Sequence, residues 1–423
     1  MLRIAPPPPP CDASHRAPLA TVGSKETHPS DVTMVGMPAD PLAMFDLDPS
    51  CAYLNHGGFG VVPRAVSEVQ NRWRLAEDTN PHRFNRLELH EAIAKARGAG
   101  AEFLGVPPDE MALVRNVSEG VSTVLSSLGL GTGDEIVVSN HGYGSVRMAV
   151  ERWSTRSGAR LVEARLRMDD GPTAVAAAFA EAVGARTRLV VVDEITSSTA
   201  WRLPVREVVT ALRDRGLDFA VLVDAAHVPG QCDPDIAGSG ADVWVGNFHK
   251  WAFTPRGTAG MWLAPSWRTR VHPLVVSWGS GDPYPVNFDH LGTLDYSSWL
   301  SLPAALDFWA GIGGWEQVRR SQELVAAGQR HVADRLGTSL DGLPTTPAPA
   351  MRLVRLPAGL LDGLASVDTL QGRLSAEFRV EVPPIWFEDE GYVRIAGQVY
   401  NTASDYERLA DALLALHRER DAA

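Results

Sequence analysis

The sequence predicts an α/β fold, with a mainly parallel sheet in a large domain and a smaller α+β domain at the carboxyl end. Three observations lead to this class. From about residue 85, short apolar runs alternate with amphipathic helical segments, an order typical of parallel sheets. The apolar runs are nearly continuous, as in strands covered on both faces. After about residue 312 a long amphipathic segment precedes a Pro- and Gly-rich stretch and isolated strand patterns.

The individual elements follow from these patterns in chain order. Helical periodicity predicts helices over residues 87–104, 146–157, 173–183 and 205–215 of the large domain. Runs rich in β-branched residues predict strands over residues 135–139, 188–193, 219–224 and 242–246. For the small domain we expect a helix over residues 314–336, strands over 378–382 and 392–395, and a closing helix over 403–416.

Composition divides the chain into four parts. Residues 1–37 are rich in Pro, Ser, Thr and Gly and include five consecutive prolines, so we expect a disordered tail. We assign residues 38–75 to an N-terminal segment, residues 76–312 to the large domain and residues 313–423 to the small domain.

Bulk properties exclude several classes of protein. The 423 residues carry a formal net charge of −12, which argues against nucleic acid as a main partner. No apolar run reaches the roughly 18 residues of a membrane span, and the N-terminus lacks the apolar core of a signal peptide. The cysteines Cys11, Cys51 and Cys232 show no metal-ligand spacing. We therefore expect a cytoplasmic protein with no metal site.

The strongest chemical signal is Lys250, which has an aspartate, Asp224, 26 positions before it. Each of these residues follows an apolar strand pattern, so both side chains are expected at the same edge of the sheet. A lysine and an acid presented together fit a pyridoxal phosphate (PLP) site. The lysine would form the Schiff base, and the acid would keep the pyridine nitrogen protonated. A solvated surface lysine and a helix-capping aspartate are the plain alternatives.

Further residues complete a predicted cofactor site. His227, three positions after Asp224, is expected to donate to the phenolate oxygen of PLP. The segment around Ser118 follows the apolar run Met111–Val114 and opens a helix, which makes it a phosphate cradle or an ordinary N-cap. Tyr143, in a Gly-containing turn, is the candidate for stacking on the cofactor, with His141 in reserve. The remaining predicted cofactor-binding residues are Val117, Ser197, His249 and Thr293.

An amino-acid substrate would also need a partner for its carboxylate, and arginine binds carboxylates as a two-pronged donor. Arg394 lies on a predicted strand of the small domain and is followed by small and polar residues. Arg83 is a second candidate. Asn55 and His56 stand in a Gly-rich turn that permits close approach to a substrate, although a purely structural turn explains them equally well.

Taken together, these motifs resemble those of fold-type I PLP enzymes in the class V aminotransferase superfamily, in the isopenicillin N epimerase-like branch. The resemblance runs from about Tyr53 to Asn401 and rests on Tyr53–Gly60, Asn116–Gly120, Asp224–His227, His249-Lys250, Gly292–Asp295 and Val393–Ile395.

The resemblance implies a seven-stranded sheet and a homodimer with shared active sites. In it Lys250 would carry the cofactor, and Ser118, His249 and the neighbouring subunit's Thr293 would hold phosphate. Arg394 would hold the substrate carboxylate. Where many members of the family carry Thr-Thr or Thr-Glu at the phosphate turn, this chain has Ser118-Glu119, and Glu119 has no assigned role.

PLP chemistry leaves the reaction open. We favour β-elimination from an S-substituted L-cysteine, a C–S lyase reaction in secondary metabolism such as antibiotic biosynthesis. We expect most of the twelve tryptophans in the core, and the others are candidates to line a pocket for a bulky conjugate. Decarboxylation-dependent oxidative deamination, epimerisation with Tyr143 or His56 as a second acid, and transamination are alternatives.

Three other readings find less support in the sequence. A cysteine desulfurase needs a nucleophilic cysteine, and none stands in the C-terminal domain. A non-catalytic PLP-binding module is the alternative from another class. A nicotinamide-dependent enzyme is disfavoured because no Gly-x-Gly-x-x-Gly turn follows a strand.

Overall fold

The structure is a computed structural model that describes residues 40–421. The predicted disordered tail, residues 1–37, lies outside the described residues, as does Cys11. Among the described residues, no helix is both long enough and apolar enough to cross a membrane.

The described residues form twelve strands. In chain order they are β1 (Ala52–Tyr53), β2 (Met111–Val114), β3 (Glu135–Ser139), β4 (Arg160–Ala164), β5 (Thr187–Asp193), β6 (Ala220–Asp224), β7 (Val243–Asn247), β8 (Ala259–Leu263), β9 (Met351–Arg355), β10 (Val380–Glu381), β11 (Pro384–Phe387) and β12 (Glu390–Ala396).

Seven of these strands form the central sheet in the order β2-β8-β7-β6-β5-β3-β4. β8 runs antiparallel to β2 and β7, and the other neighbouring pairs are parallel. The predicted mainly parallel, seven-stranded sheet is therefore confirmed. Sequence patterns missed β4 because it is an edge strand in which Arg160 and Glu163 are exposed, so its apolar content is low.

The described residues form fourteen α-helices and a π-helical turn at Phe84–Glu88. They are α1 (His56–Phe59), α2 (Arg64–Thr79), α3 (Pro81–Arg83), α4 (Leu89–Phe103), α5 (Val117–Ser127), α6 (Gly144–Ser157), α7 (Pro172–Ala182), α8 (Val205–Arg213), α9 (Phe248–Trp251), α10 (Ser297–Leu300), α11 (Leu302–Gly311), α12 (Gly314–Leu336), α13 (Val367–Phe378) and α14 (Ala403–Asp421).

Alternate residues of each central strand enter different cores. Ile136 and Val138 of β3 pack with α5 and α6, whereas Val137 between them packs with α7 and α8. Because successive strand side chains point to opposite faces, the sheet is covered by helices on both sides. This burial explains why its strands are continuously apolar in sequence.

The C-terminal region contains a separate antiparallel sheet in the order β11-β12-β9. Helices α12 and α14 pack together beside it. The prediction of a strand over residues 378–382 was partly wrong. Phe378 ends α13, and Arg379 adopts φ +57° as the cap of that helix, so only Val380 and Glu381 form a strand, parallel to β1. This pairing brings the N-terminal segment, with Asn55 and His56, against the C-terminal region.

The parallel strands deliver the predicted site residues to one edge of the central sheet. Asp193 ends β5, Asp224 ends β6, and Lys250 follows β7 within the single turn of α9. The turn containing Tyr143 follows β3. Carboxyl ends of parallel strands meet at the same edge, which is where ligands bind in open α/β sheets.

Candidate active site

Lys250 lies at the centre of the site and is buried. Its Nζ atom lies 3.0 Å from Nε2 of His227 and 5.9 Å from the centre of the Tyr143 ring. Burial and the nearby Arg394 guanidinium lower the pKa of Lys250 from 10.5 to about 7, against the opposing effect of Asp224. A large fraction of the amine is therefore neutral, and so nucleophilic, at neutral pH.

Tight backbone contacts hold the helical turn that carries Lys250. Nδ1 of His249 and the backbone N–H of Phe248 both bond to the carbonyl of Thr258, at 3.0 and 3.1 Å. Gly60 approaches the carbonyl of His249 so closely, with φ +66°, that a side chain there would collide with it. These contacts hold the backbone of the turn from both sides. They therefore fix the position from which the Lys250 side chain extends.

Asp224 is buried on the neighbouring strand. Its Oδ1 accepts a hydrogen bond from the N–H of Ala226 at 3.0 Å. Its Oδ2 is buried and has no hydrogen-bond partner among the described residues. Burial raises the pKa of Asp224, and the charge of Lys250 opposes that rise. Because an unpaired buried carboxylate oxygen is costly, this orphan atom fits a protonated ring nitrogen, and the residues present match the needs of PLP.

His227 follows Asp224 by three positions, contacts Lys250 and is buried. Its Nδ1 accepts from the indole N–H of Trp251 at 3.4 Å. Burial, with the charge of Lys250, lowers the pKa of His227 well below 6.5, so the ring is neutral. A neutral ring that accepts at Nδ1 carries its proton on Nε2, and that proton points toward Lys250.

The start of α5 differs from the simplest expectation. The cap of this helix is Asn116, whose side chain accepts from the N–H of Glu119 at 2.9 Å. The N–H of Val117 is already bonded to Oδ1 of Asn247 at 3.0 Å. The hydroxyl of Ser118 contacts that of Ser145 at 2.9 Å. Ser118 is therefore free of a capping role, and the two hydroxyls together offer donors to an anion at the helix start.

The structure also accounts for Glu119. Its carboxylate accepts from the backbone N–H of Arg115 at 2.7 Å and from the guanidinium of the same residue at 3.0 Å. The Glu119 side chain is only 8% exposed, so this pair ties the end of β2 to the first turn of α5. Glu119 stabilises the turn that presents Ser118.

Arg394 lies on β12 and is buried beside the site. Its guanidinium donates to the carbonyl of Ser197 at 2.5 Å, to the Ser197 hydroxyl at 3.1 Å and to Oδ1 of Asn55 at 3.0 Å. No carboxylate pairs with it in the part of the chain that the structure describes. Burial lowers the pKa of Arg394 from 12.5 to about 10, so it remains charged at neutral pH. Ser197, expected near the cofactor, thus contacts the predicted substrate-binding arginine.

Three of the predicted site residues either lie away from Lys250 and Arg394 or already bond to other residues. His56 is buried, bonds through Nδ1 to the Tyr400 hydroxyl at 2.9 Å and packs on Trp251. Burial lowers the pKa of His56 to about 3. Arg83 is exposed and paired with Glu88 at 2.6 Å. Thr293 is exposed in a turn.

His141, the second candidate for stacking on the cofactor, is held by contacts outside the site. His141 is buried, with Nδ1 bonded to the Thr199 hydroxyl at 2.8 Å and its ring against Phe387. Tyr143 is therefore the ring of this turn that faces Lys250.

Sequence reasoning missed Asp193 and Asn247. Both are polar residues at strand ends, and the rule that selected Asp224 would have found them too.

An amine and an orphaned acid at adjacent strand ends of a seven-stranded α/β sheet define the class of PLP-dependent fold-type I enzymes. The chain belongs to the aminotransferase class V family, whose profile matches residues 53–350. The resemblance inferred from the motifs, the fold type and the PLP cofactor of this family are confirmed.

Curated relatives cover most of this chain. It is 33% identical to a probable chloroplastic L-cysteine desulfhydrase of Arabidopsis thaliana, over 88% of this chain and 84% of that protein. It is also 33% identical to isopenicillin N epimerase of Streptomyces clavuligerus, over 88% of this chain and 96% of the epimerase.

Solved structures share the fold at lower identity. A mutant of C-DES with glycine covalently linked to the PLP cofactor superimposes with a TM-score of 0.74 at 22% identity, over 88% of this chain and 98% of that one. An apo cysteine desulfurase from Thermococcus onnurineus NA1 gives a TM-score of 0.72 at 19% identity, over 90% and 99%.

Proposed function

We propose that this enzyme cleaves the C–S bond of an S-substituted L-cysteine by β-elimination. The observation that carries the proposal is that two groups lie close together. One is the buried Arg394 guanidinium, which has no carboxylate partner among the described residues, and the other is the Lys250 amine, whose pKa is low. A buried guanidinium bonded only to neutral groups favours a carboxylate ligand. An amino acid bound there through its carboxylate would present its α-carbon toward the base.

The chain's residues divide the work as follows. Bound PLP supplies an electron sink for the electrons left at the α-carbon. Asp224 would hold a proton on the ring nitrogen through Oδ2, and His227 would donate through Nε2–H to the phenolate oxygen. Ser118, with His249 and Thr293, would bind phosphate, and Val117 would line that cradle.

Proton transfer falls to Lys250. Its Nζ accepts the α-proton of the substrate, and the Cβ–S bond breaks as the sulfur group leaves with the bond electrons. Arg394, held by Asn55 and Ser197, fixes the carboxylate during this step, and the Tyr143 ring excludes water from one face. The departing sulfur takes the proton held on Nζ and leaves as a thiol. The remaining enamine tautomerises to an imine, which water hydrolyses to pyruvate and ammonia.

The environment of the cysteines supports elimination over desulfuration. A desulfurase thiol attacks as the thiolate. Burial raises the pKa of Cys232 to about 12, and the pKa of the half-buried Cys51 is raised as well. Neither described cysteine is activated as a nucleophile. The desulfhydrase relative supports the same class of reaction.

Epimerisation is the second candidate, because an isopenicillin N epimerase is as similar as the desulfhydrase. It requires an acid on the face opposite Lys250. Because the pKa of the buried His56 is lowered to about 3, its ring is neutral at neutral pH and does not carry the extra proton that an acid would donate. The role would therefore fall to Tyr143. Transamination, oxidative deamination and binding without turnover find no separate support in the site.

We further propose a cytoplasmic homodimer. Trp278 is 94% exposed and Val276 is 86% exposed in the loop before the turn of Thr293. Large apolar side chains at such exposure are typical of a surface covered by a partner. A second copy seated there would account for the exposed Thr293 as a phosphate donor to the neighbouring site.

The experiment is product analysis with purified holoenzyme and a panel of S-substituted L-cysteines, free cysteine and D/L amino acids. Release of thiol and pyruvate in equal amounts supports the lyase. Formation of neither thiol nor pyruvate, with loss of optical activity instead, would replace it with the epimerase.

A further inference from the structure

A second acid, Asp193, lies beside Asp224 and has no assigned role. The two aspartates end adjacent parallel strands and are partners in the strand register. Both are buried, at 3% and 2% exposure. In the described part of the chain, neither carboxylate forms an ion pair with an Arg, Lys or His side chain. Two unpaired carboxylates so placed in a buried site cannot both be ionised at modest cost.

Asp193 also contacts the turn that carries the stacking tyrosine. Its carboxyl accepts from the backbone N–H of Tyr143. A methyl group placed on Gly142 would lie 3.7 Å from its Oδ2 atom. Asp193 thus lies between Asp224 and the turn that carries Tyr143.

The charges around the pair are unequal. The backbone N–H of Ala226 and, when it is protonated, the Lys250 amine both favour the ionised form of Asp224. Among residues 40–421, no cation acts on Asp193 in the same way. Burial first, and then the charge of Asp224, raise the pKa of Asp193 well above 3.8, against the opposing N–H of Tyr143. The shared proton therefore belongs on Asp193.

We propose that Asp193 is a positioning residue of the cofactor site, which stays protonated so that Asp224 alone carries the charge, and which anchors the Gly142–Tyr143 turn. This inference rests on the proposed contact of Asp224 with the ring nitrogen. With Asp193 neutral, the negative charge of Asp224 is not repelled by a neighbouring anion, and the turn of Tyr143 keeps its distance from Lys250.

Infrared difference spectroscopy of the holoenzyme tests the proton directly, because a protonated carboxyl and a carboxylate absorb at separate positions. At neutral pH, subtracting the Asp193→Asn spectrum from the wild-type spectrum should reveal a protonated carboxyl band. Glu194→Gln is the matched control. Glu194 is the next residue, also buried, but it lines a separate cavity of about 370 Å³ with Trp201 and Trp244. The band should persist in that variant. Carboxylate bands in the Asp193→Asn difference spectrum would overturn the inference.

PLP affinity tests the anchoring role. Asn retains an oxygen that accepts from the N–H of Tyr143, whereas Ala does not. Asp193→Ala should bind PLP about tenfold more weakly than Asp193→Asn, the effect of one lost buried hydrogen bond. Equal affinities would overturn the anchoring role. The Asp224→Asn variant distinguishes failure of the proposed Asp224 contact from failure of the Asp193 inference. If it leaves PLP affinity and visible absorbance unchanged, the proposed contact of Asp224 is itself wrong; if only the infrared band is missing, the inference fails alone.

Discussion

The low pKa of Lys250 makes the capture of PLP by apoenzyme depend on pH in a defined way. The neutral amine attacks the aldehyde, so the rate should rise with pH and level off above about 7, the pKa of Lys250. A lysine with the ordinary pKa of 10.5 would be only about 0.03% neutral at pH 7, whereas half of Lys250 is neutral there. The site therefore accelerates capture at neutral pH by roughly 10³-fold through ionisation alone.

Two substitutions should move the midpoint in opposite directions. Arg394 lowers the pKa of Lys250 and Asp224 raises it. Removing the cation in Arg394→Gln should raise the midpoint by about 1 pH unit, and removing the anion in Asp224→Asn should lower it by about 1 unit. The titration of PLP itself is common to all variants, so differences in midpoint belong to the lysine.

The assay we propose is stopped-flow absorbance of apoenzyme mixed with PLP, from pH 5.5 to 10. This range extends from about 1.5 pH units below the expected pKa of Lys250 to about 3 pH units above it. Arg83→Gln is the matched control, since Arg83 is exposed and paired with Glu88, and its midpoint should equal that of the wild type. A wild-type rate that still rises at pH 10 without levelling off, or shifts of the same sign in both site variants, would refute the reasoning. A shift in the Arg83 control would show that Arg83 acts on the pKa of Lys250, contrary to its exposed position paired with Glu88.

Two further predictions concern the turn that carries Lys250. Gly60→Ala should lower the free energy of unfolding by at least about 1 kcal/mol, because φ +66° and the His249 carbonyl both exclude a side chain; urea denaturation measures this. Gly98→Ala is the control, since α4 has open space there and should gain about 0.5–1 kcal/mol; equal effects would contradict the packing argument. Lys250→Ala should abolish the yellow absorbance of lysine-bound PLP, and retained colour would be incompatible with the assignment.

Much of the fold could be predicted because the sheet is buried on both faces. Burial forces continuous apolar runs, and β3 and α12 were predicted with the boundaries observed. The edge strand β4 was missed because two of its five residues, Arg160 and Glu163, are exposed. Residues 378–382 have the apolar alternation of a strand, yet Arg379 caps a helix there. Only the two residues that pair with β1, Val380 and Glu381, form a strand, because tertiary pairing overrides the local pattern.

The site was predictable where a residue's position follows from one strand. Asp224 and Lys250 needed only the rule that parallel strands end at a common edge. The surroundings of His56 and His141 depend on contacts with residues far along the chain, Tyr400 and Thr199 among them. No local pattern distinguishes a buried structural histidine from a ligand-binding one. Asp193 was overlooked because its partner, Asp224, had already explained the acid the cofactor needs.

The most direct test of the central claim is the covalent site of the cofactor. Holoenzyme reduced with borohydride and digested should yield one peptide carrying the PLP mass, and tandem mass spectrometry should locate it on Lys250. Modification of Lys95 or Lys25 instead, or a protein that keeps no PLP after reduction, would contradict the account.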